Sequence, residues 1–332
     1  MNASCQISNG SRFKPGDPGG FYESYFQRAN HPSRPLAFWI RYTVFSPRGK
    51  PEEAEGELWA VFFDGERAQI TAAKETSPLE ACTFDSARLD VRIGTASLTE
   101  GHLEGSATTA AHRLKWALRY TSPEPPLLLL PPKLYKGPFP KAKALVGSPN
   151  AVYIGSVEVD GDRFDVEGWK GSQNHNWGSR HTDRYAWGQV AGFDNAPDAF
   201  LECSTAQIKV GPVWSPRFSL VVLRDEGRQT ALNGLLQAMR ASGSFDFFTW
   251  KIDSQGLDAQ ISIRIQAPRT AFVGLSYRNP PGGVKTCLNS KLASAEVTIR
   301  RPGTPPRTLV TRHRAAFEIL TDRTDHGVPV VA

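Results

Sequence analysis

Between residues 122 and 149 the chain carries eight prolines: Pro123, Pro125, Pro126, Pro131, Pro132, Pro138, Pro140 and Pro149. Each removes a backbone donor and fixes φ, so neither a ladder nor a helix is expected to run through the stretch. It reads as a semi-rigid, extended connector. The expected organisation is a flexible N-terminus over residues 1–20, a first half over 21–121, the connector over 122–149, and a second half over 150–332. Within the connector, Leu127, Leu128, Leu129 and Leu130 are expected to pack across the junction of the halves. The alternative is a weak membrane-surface contact made with Lys133, Lys136, Lys141 and Lys143.

On both sides of the connector the apolar pattern has period two. Residues 36–45 place Leu36, Phe38, Ile40, Tyr42 and Val44 on one face and Ala37, Trp39, Arg41, Thr43 and Phe45 on the other. Residues 113–120 alternate Leu114, Trp116, Leu118 and Tyr120 with Arg113, Lys115, Ala117 and Arg119. Asp160-Gly161 is a strong hairpin signal. Only residues 230–241 have helical flavour, through Leu232, Leu235, Leu236 and Met239. With no βαβ alternation, the fold class is all-β: two consecutive antiparallel β-barrels with bulky residues on both strand faces and an apolar interior able to hold a ligand.

The 332 residues carry a net charge of +6. Arg300, Arg301, Arg307, Arg312 and Arg314 alternate with apolar residues or sit beside prolines, as a solvated strand face does, so no nucleic-acid partner is expected. Cys5, Cys82, Cys203 and Cys287 are scattered with no CxxC spacing, and the first twenty residues lack an apolar core, so a reduced, cytoplasmic setting is expected. There is no P-loop, no G-x-G-x-x-G after a strand, no G-x-S-x-G and no H-E-x-x-H. His175 and His181 lie close in the chain without a Cys beside them, a poor zinc spacing, so no metal is expected.

Chemistry-bearing side chains concentrate around Asn174, His175, Asn176, Trp177, Arg180, His181, Asp183, Tyr185, Trp187 and Gln189. One reading is a loop whose Asn and His side chains satisfy its own backbone while Trp fills a barrel mouth. The other is a pocket rim where indoles stabilise positive charge, His or Asp moves protons and Arg180 orients an oxygen. A weak echo lies in the first half, where residues 21–28 lead into the aromatic strand containing Phe38 and Trp39, as residues 174–180 lead into Tyr185, Ala186 and Trp187.

Residues 173–178 (QNHNWG), followed by 185–189 (YAWGQ), resemble the tandem-lipocalin superfamily of hydroxyneurosporene synthase (carotenoid 1,2-hydratase), tocopherol cyclase and lipid-carrying relatives. Residues 21–28 with Ala37, Phe38, Trp39 and Ile40 look like its N-terminal counterpart. The resemblance implies two lipocalin-like barrels around a hydrophobic ligand, and proton-driven hydration or cyclisation without a cofactor. Matching positions are His175, Trp177, Gly178, Tyr185 and Trp187. Many relatives carry Asp where this chain has Asn174, and an amide donates no catalytic proton. The candidate acids are therefore Glu23, His175, His181 and Asp183, with Tyr25, Arg28, Trp39, Asn174, Asn176, Trp177, Arg180, Tyr185, Trp187 and Gln189 as substrate-binding candidates. The expected activity is that of a hydratase, isomerase or cyclase acting on an isoprenoid- or polyketide-like molecule. The competing class is a non-catalytic carrier of hydrophobic small molecules. No oligomeric state is implied.

Overall fold

The structure is a computed structural model that describes residues 9–331; Cys5 lies outside the described residues. The first sheet contains β1 (Phe21–Asn30), β2 (Leu36–Ser46), β3 (Glu55–Asp64), β4 (Gln69–Pro78), β5 (Cys82–Phe84) and β6 (Asp90–Ile93). It also takes β7 (Ala96–Thr99), β8 (His102–Thr108), β9 (Arg113–Thr121), β10 (Leu127–Leu128), β11 (Ala142–Val159) and β12 (Asp162–Gly178). Their order is β4-β3-β2-β1-β12-β11-β9-β8-β7-β6-β5, with β10 beside β11. The sheet curls round until its edge strand β4 comes against β8, where the Thr108 N–H donates to Glu75 at 2.7 Å.

After Gly178 the chain enters β13 (Arg184–Ala191), β14 (Phe200–Gln207), a small ribbon of β15 (Lys209–Val210) and β16 (Val213–Trp214), then β17 (Phe218–Asp225) and β18 (Arg228–Leu232). A helix, α1 (Leu235–Arg240), precedes β19 (Ser242–Asp246), β20 (Thr249–Gln255), β21 (Gln260–Gln266), β22 (Val273–Arg278), β23 (Val284–Arg300) and β24 (Arg307–Thr321). The second sheet runs β18-β17-β14-β13-β24-β23-β21-β20-β19, with β22 beside β23. All of this strand pairing is antiparallel, so the fold is all-β with two barrel-like sheets. Among the described residues α1 is the one α-helix, and no helix is long and apolar enough to cross a membrane.

The sheets divide the chain after Gly178, not at the prolines. β11 begins at Ala142 and passes Pro149, because its register slips between Ser148 and Ala151. Asn150 there turns to φ +49°, so the bulge takes the proline out of the ladder. Asp160 and Gly161, both at positive φ, then form the two-residue turn that fixes the β11–β12 register. Leu127 and Leu129 pack with Val146 against Ala191, Phe200 and Val222 of the second sheet.

The period-two pattern of β2 is buried on both sides along its whole length. Leu36, Phe38, Ile40 and Tyr42 fill the first barrel with Tyr153 and Trp169. Ala37 and Trp39 face the second sheet with Val273, Leu275 and Tyr277. Both barrel interiors are packed with side chains, so the expected ligand space inside a barrel is taken up, and the open volume lies between the sheets. Arg307 and Arg314 of the arginine-rich end are engaged by Asp225 and Asp194.

Candidate functional site

The two polar–aromatic segments singled out in the sequence pair with each other. β1 and β12 run antiparallel with Tyr22 opposite Gly178, Tyr25 opposite His175 and Arg28 opposite Ser172. The residues around His175 are therefore strand up to Gly178, not a loop. Gly171 permits the close approach, since a Cβ there would fall 1.8 Å from the Arg28 carbonyl oxygen. Because successive side chains alternate, this strand pair presents two different polar faces.

One face looks into the first barrel. His175 Nε2 lies 2.8 Å from Glu23 Oε1, and both side chains are fully buried. Glu23 also accepts from the Ser11 hydroxyl at 2.5 Å and from the backbone N–H groups of Arg12 and Phe13 at 2.9 and 3.1 Å. His175 Nδ1 faces Asn9 Oδ1 at 3.1 Å. Tyr25 stacks on the imidazole with ring centroids 4.0 Å apart, and Trp177 tilts against it at 4.8 Å. The Arg12 guanidinium sits 3.7 Å over the Trp177 ring. Residues 9–13, within the stretch expected to be flexible, thus form a strap across this pair. Burial drives the His175 pKa down to about 4 in spite of the adjacent carboxylate. Burial also opposes the charge on Glu23, but the bonds from His175, Ser11 and Arg12 outweigh it and hold its pKa below the ordinary value. At neutral pH the pair is a neutral imidazole against a carboxylate, with the carboxylate oxygens already supplied with donors.

The other face looks onto a cavity of about 480 Å³ between the sheets. Its walls are largely apolar, with Tyr22, Phe26, Tyr185, Trp187, Tyr277, Phe218 and the connector's Leu129, Leu134 and Phe139. A few polar groups interrupt them: Arg41, Asn174, Asn176, His181, Glu202 and Glu318. An apolar chamber with few converging polar groups is the usual form of a small-molecule site.

Glu202, on β14, is the most perturbed acid of the wall. Oε1 accepts from Trp187 Nε1 at 2.8 Å and Oε2 from Gln189 Nε2 at 2.7 Å. Gln189 Nε2 also donates to Asn174 Oδ1 at 2.8 Å, while Arg28 Nε and Ser172 Oγ donate to Gln189 Oε1 at 2.8 and 2.5 Å. The direction of every bond in this chain makes Glu202 an acceptor at both oxygens. Burial nevertheless pushes its pKa up from 4.5 to about 7, against the bonds from Trp187 and Gln189 and the charge of Arg28. A carboxyl so placed is partly protonated at neutral pH and can give or take a proton within the cavity. Glu318 is held differently, accepting from Lys291 Nζ at 2.7 Å and Asn289 Nδ2 at 3.0 Å.

Of the residues singled out in the sequence, Asn174, Asn176, His181, Tyr185 and Trp187 line the cavity, and His175 borders it while its imidazole is bonded to Glu23 on the barrel face. His181 lies between Tyr22 and Tyr277, with ring centroids at 4.0 and 5.7 Å, and burial lowers its pKa to about 3. Arg28 and Gln189 stand behind the wall in the Glu202 network. Glu23, Tyr25 and Trp177 belong to the opposite face. Trp39 is buried between the sheets, next to Phe26 and Trp59. Arg180 and Asp183 pair with each other, and Asp183 also accepts from the Lys209 N–H at 2.9 Å, which anchors the turn into β13 away from the cavity. Glu202, Glu318 and Arg41 were not singled out. The available signal was a lone carboxylate in β14, whose eight residues are otherwise uncharged.

No protein-family model matches the chain. Two uncharacterised proteins of Mycobacterium tuberculosis, from strains CDC 1551 / Oshkosh and H37Rv, are each 22% identical over 285 residues, covering 84% of this chain and 82% of theirs. Among solved structures, a Nitrosomonas europaea protein named for AttH superposes with a TM-score of 0.58 at 13% identity, over 95% of this chain and 98% of its own. Kievitone hydratase from Nectria haematococca gives 0.55 at 9% identity, over 93% and 91%. CghA in complex with Sch210972 gives 0.58 at 11% identity, over 94% of each chain. At these identities the likeness is one of fold, and this chain shares the two-barrel, lipocalin-like architecture of those three proteins.

Proposed function

We propose that this chain is a cofactor-independent isomerase, cyclase or hydratase that acts by proton transfer on a hydrophobic, isoprenoid- or polyketide-like molecule held between the sheets. The observation that carries the reading is Glu202: a buried carboxyl on the wall of an apolar cavity, with both oxygens fixed as acceptors and an affinity for its proton suited to neutral pH. Protonated Glu202 donates to an alkene carbon, and the carbocation formed lies among the faces of Trp187, Tyr185, Tyr22 and Tyr277, which favour positive charge. Loss of a proton from a neighbouring carbon to the Glu202 carboxylate completes an isomerisation or cyclisation. Addition of water, whose proton returns to the carboxylate, completes a hydration. Asn174 and Asn176 orient polar substituents. His175 and Glu23 fix the strand pair that carries those amides, and His181 offers a neutral ring at the other polar end. A fold shared with kievitone hydratase and with CghA, which holds Sch210972, supports a small-molecule substrate.

The test is turnover. Mass spectrometry of ligand extracted from the expressed protein identifies candidates, which are then incubated with wild type and Glu202→Gln. A positioned general acid is worth about 10²–10⁴ in rate, so the variant should lose product formation on that scale and keep ligand affinity. Full turnover by Glu202→Gln overturns the assignment of the acid. A ligand returned unchanged by wild type makes the chain a carrier.

A further inference from the structure

We infer that the mouth of the cavity is a docking face for an anionic lipid bilayer, from which the hydrophobic ligand enters; this rests on reading the cavity as a hydrophobic small-molecule site. Of the twelve large apolar side chains exposed on the described surface, six gather here: Phe139, Val210, Val213, Leu235, Leu236 and Met239, each 48–71% exposed. They come from three separate parts of the chain, the proline-rich connector, the β15–β16 ribbon and α1. Phe139, Val210 and Leu235 line the cavity itself, Val213 is the partner of Val210 across the ribbon, and Leu236 and Met239 stand on the exposed side of α1. Scattered exposed apolar residues need no explanation, but half of them collected on one rim do.

The segments that build the rim carry charge of one sign. Residues 127–147, 208–217 and 233–241 carry seven cations, Lys133, Lys136, Lys141, Lys143, Lys209, Arg217 and Arg240, and no Asp or Glu. The carboxylate bonded to this rim, Asp183, is occupied by Arg180 and by the Lys209 N–H. Trp214 adds an indole to the ribbon, with Arg184 at 4.7 Å and Lys209 at 5.8 Å from its ring. Apolar side chains ringed by cations and an indole match the interfacial region of a negatively charged leaflet. A second copy docking by the same face would set seven cations against seven, so charge disfavours self-association and favours an anionic surface.

The experiment sediments the full chain with vesicles of phosphatidylcholine alone and of phosphatidylcholine with phosphatidylserine. Wild type should sediment with the serine-containing vesicles, release at high salt, and stay in solution with phosphatidylcholine alone. Each cation at such a surface contributes about a fivefold factor. The triple variant Lys133→Gln, Lys136→Gln, Lys141→Gln should therefore bind on the order of a hundredfold more weakly. Val213→Ser, Leu236→Ser, Met239→Ser should also lose binding. Both variants should bind a fluorescent hydrophobic probe in the cavity as wild type does when no vesicles are present. Equal sedimentation of wild type with the two vesicle types overturns the inference. So does a wild-type dimer in solution that the apolar triple variant converts to a monomer, which would assign the face to a second copy. The probe measurement bears on the cavity alone, so failure of the cavity reading and failure of the docking inference look different.

Discussion

Replacing Glu202 with glutamine keeps the side-chain volume and removes the ionisation. An ordinary glutamate releases its proton near 4.5, and Glu202 in the fold does so near 7. At about 1.4 kcal/mol per pH unit, the fold is penalised by about 3 kcal/mol once this group is ionised in both states. Between those two values the folded protein holds a proton that the unfolded chain has released, so stability falls as pH rises through the window. Two buried imidazoles act in the opposite sense. His175 and His181, lowered by burial to about 4 and about 3, stay neutral in the fold while the unfolded chain takes up protons below about 6.5, so stability falls as pH falls. The wild-type curve alone mixes these slopes. The difference between wild type and Glu202→Gln cancels the imidazoles and isolates the carboxyl. Urea unfolding at a series of values from about pH 5 to about pH 8 should show wild type losing about 2–3 kcal/mol relative to the variant, mostly below about pH 7. A constant offset of about 1–3 kcal/mol is superimposed, because the new amide sets one donor against Gln189 Nε2. A wild-type-minus-variant difference that is the same at both ends of the range refutes the account of a proton-retaining buried carboxyl.

Trp187→Phe withdraws one of the two bonds that favour ionised Glu202, so the bend in that difference curve should move to higher pH; an unmoved bend shows that the indole does not tune the carboxyl. Glu23→Gln removes the charge that organises His175 and the strap of residues 9–13. The imidazole is neutral, so what is lost is hydrogen bonding to a charged acceptor, worth about 1.5–3 kcal/mol, and unfolding at neutral pH should show a loss on that scale together with faster proteolysis near the strap. A loss under about 1 kcal/mol would mean that the pair contributes little to holding β1 against β12.

The alternating strands were legible because their period survives burial on both faces; β2 is the clear instance, with one set of aromatic residues in the barrel and the other against the second sheet. The sheet boundary was not. Proline acts locally: Pro123 to Pro140 do lie outside the long strands, but Pro149 sits at a bulge that a strand can carry. The actual change of sheet, between Gly178 and Arg184, is marked by Gly178, Ser179, Thr182 and Asp183, turn-forming residues that the denser prolines outweigh as a boundary signal. Asn174, His175 and Asn176 were read as a rim or loop because strands are usually recognised by apolar and β-branched residues. Here a strand is polar on both faces because each face is covered by a polar network, in which Gln189 bonds Asn174 on one side and Glu23 bonds His175 on the other. Which residue meets which sheet is information about pairing partners far apart in the chain, and one sequence does not display it.

That division of β12 into two faces gives Asn174 a physical sense. Its Nδ2 donates to Ser172 Oγ at 2.8 Å, and its Oδ1 accepts from the same Gln189 nitrogen that serves Glu202. An aspartate at this position, as the resembling family often has, would lose the donation to Ser172. It would also put a second carboxylate one hydrogen-bonded residue from Glu202, and like charges so close raise one another's cost of ionisation. The asparagine leaves a single carboxyl on this part of the wall, with every other hydrogen bond in the chain already directed. The neighbouring His175, by contrast, is committed to Glu23 on the far side of the strand, where its ring is neutral and its partner oxygens are occupied. In the proposed mechanism the proton exchanged with the ligand is then the one on Glu202, and the motif centred on His175 holds the strand that presents the amides opposite it.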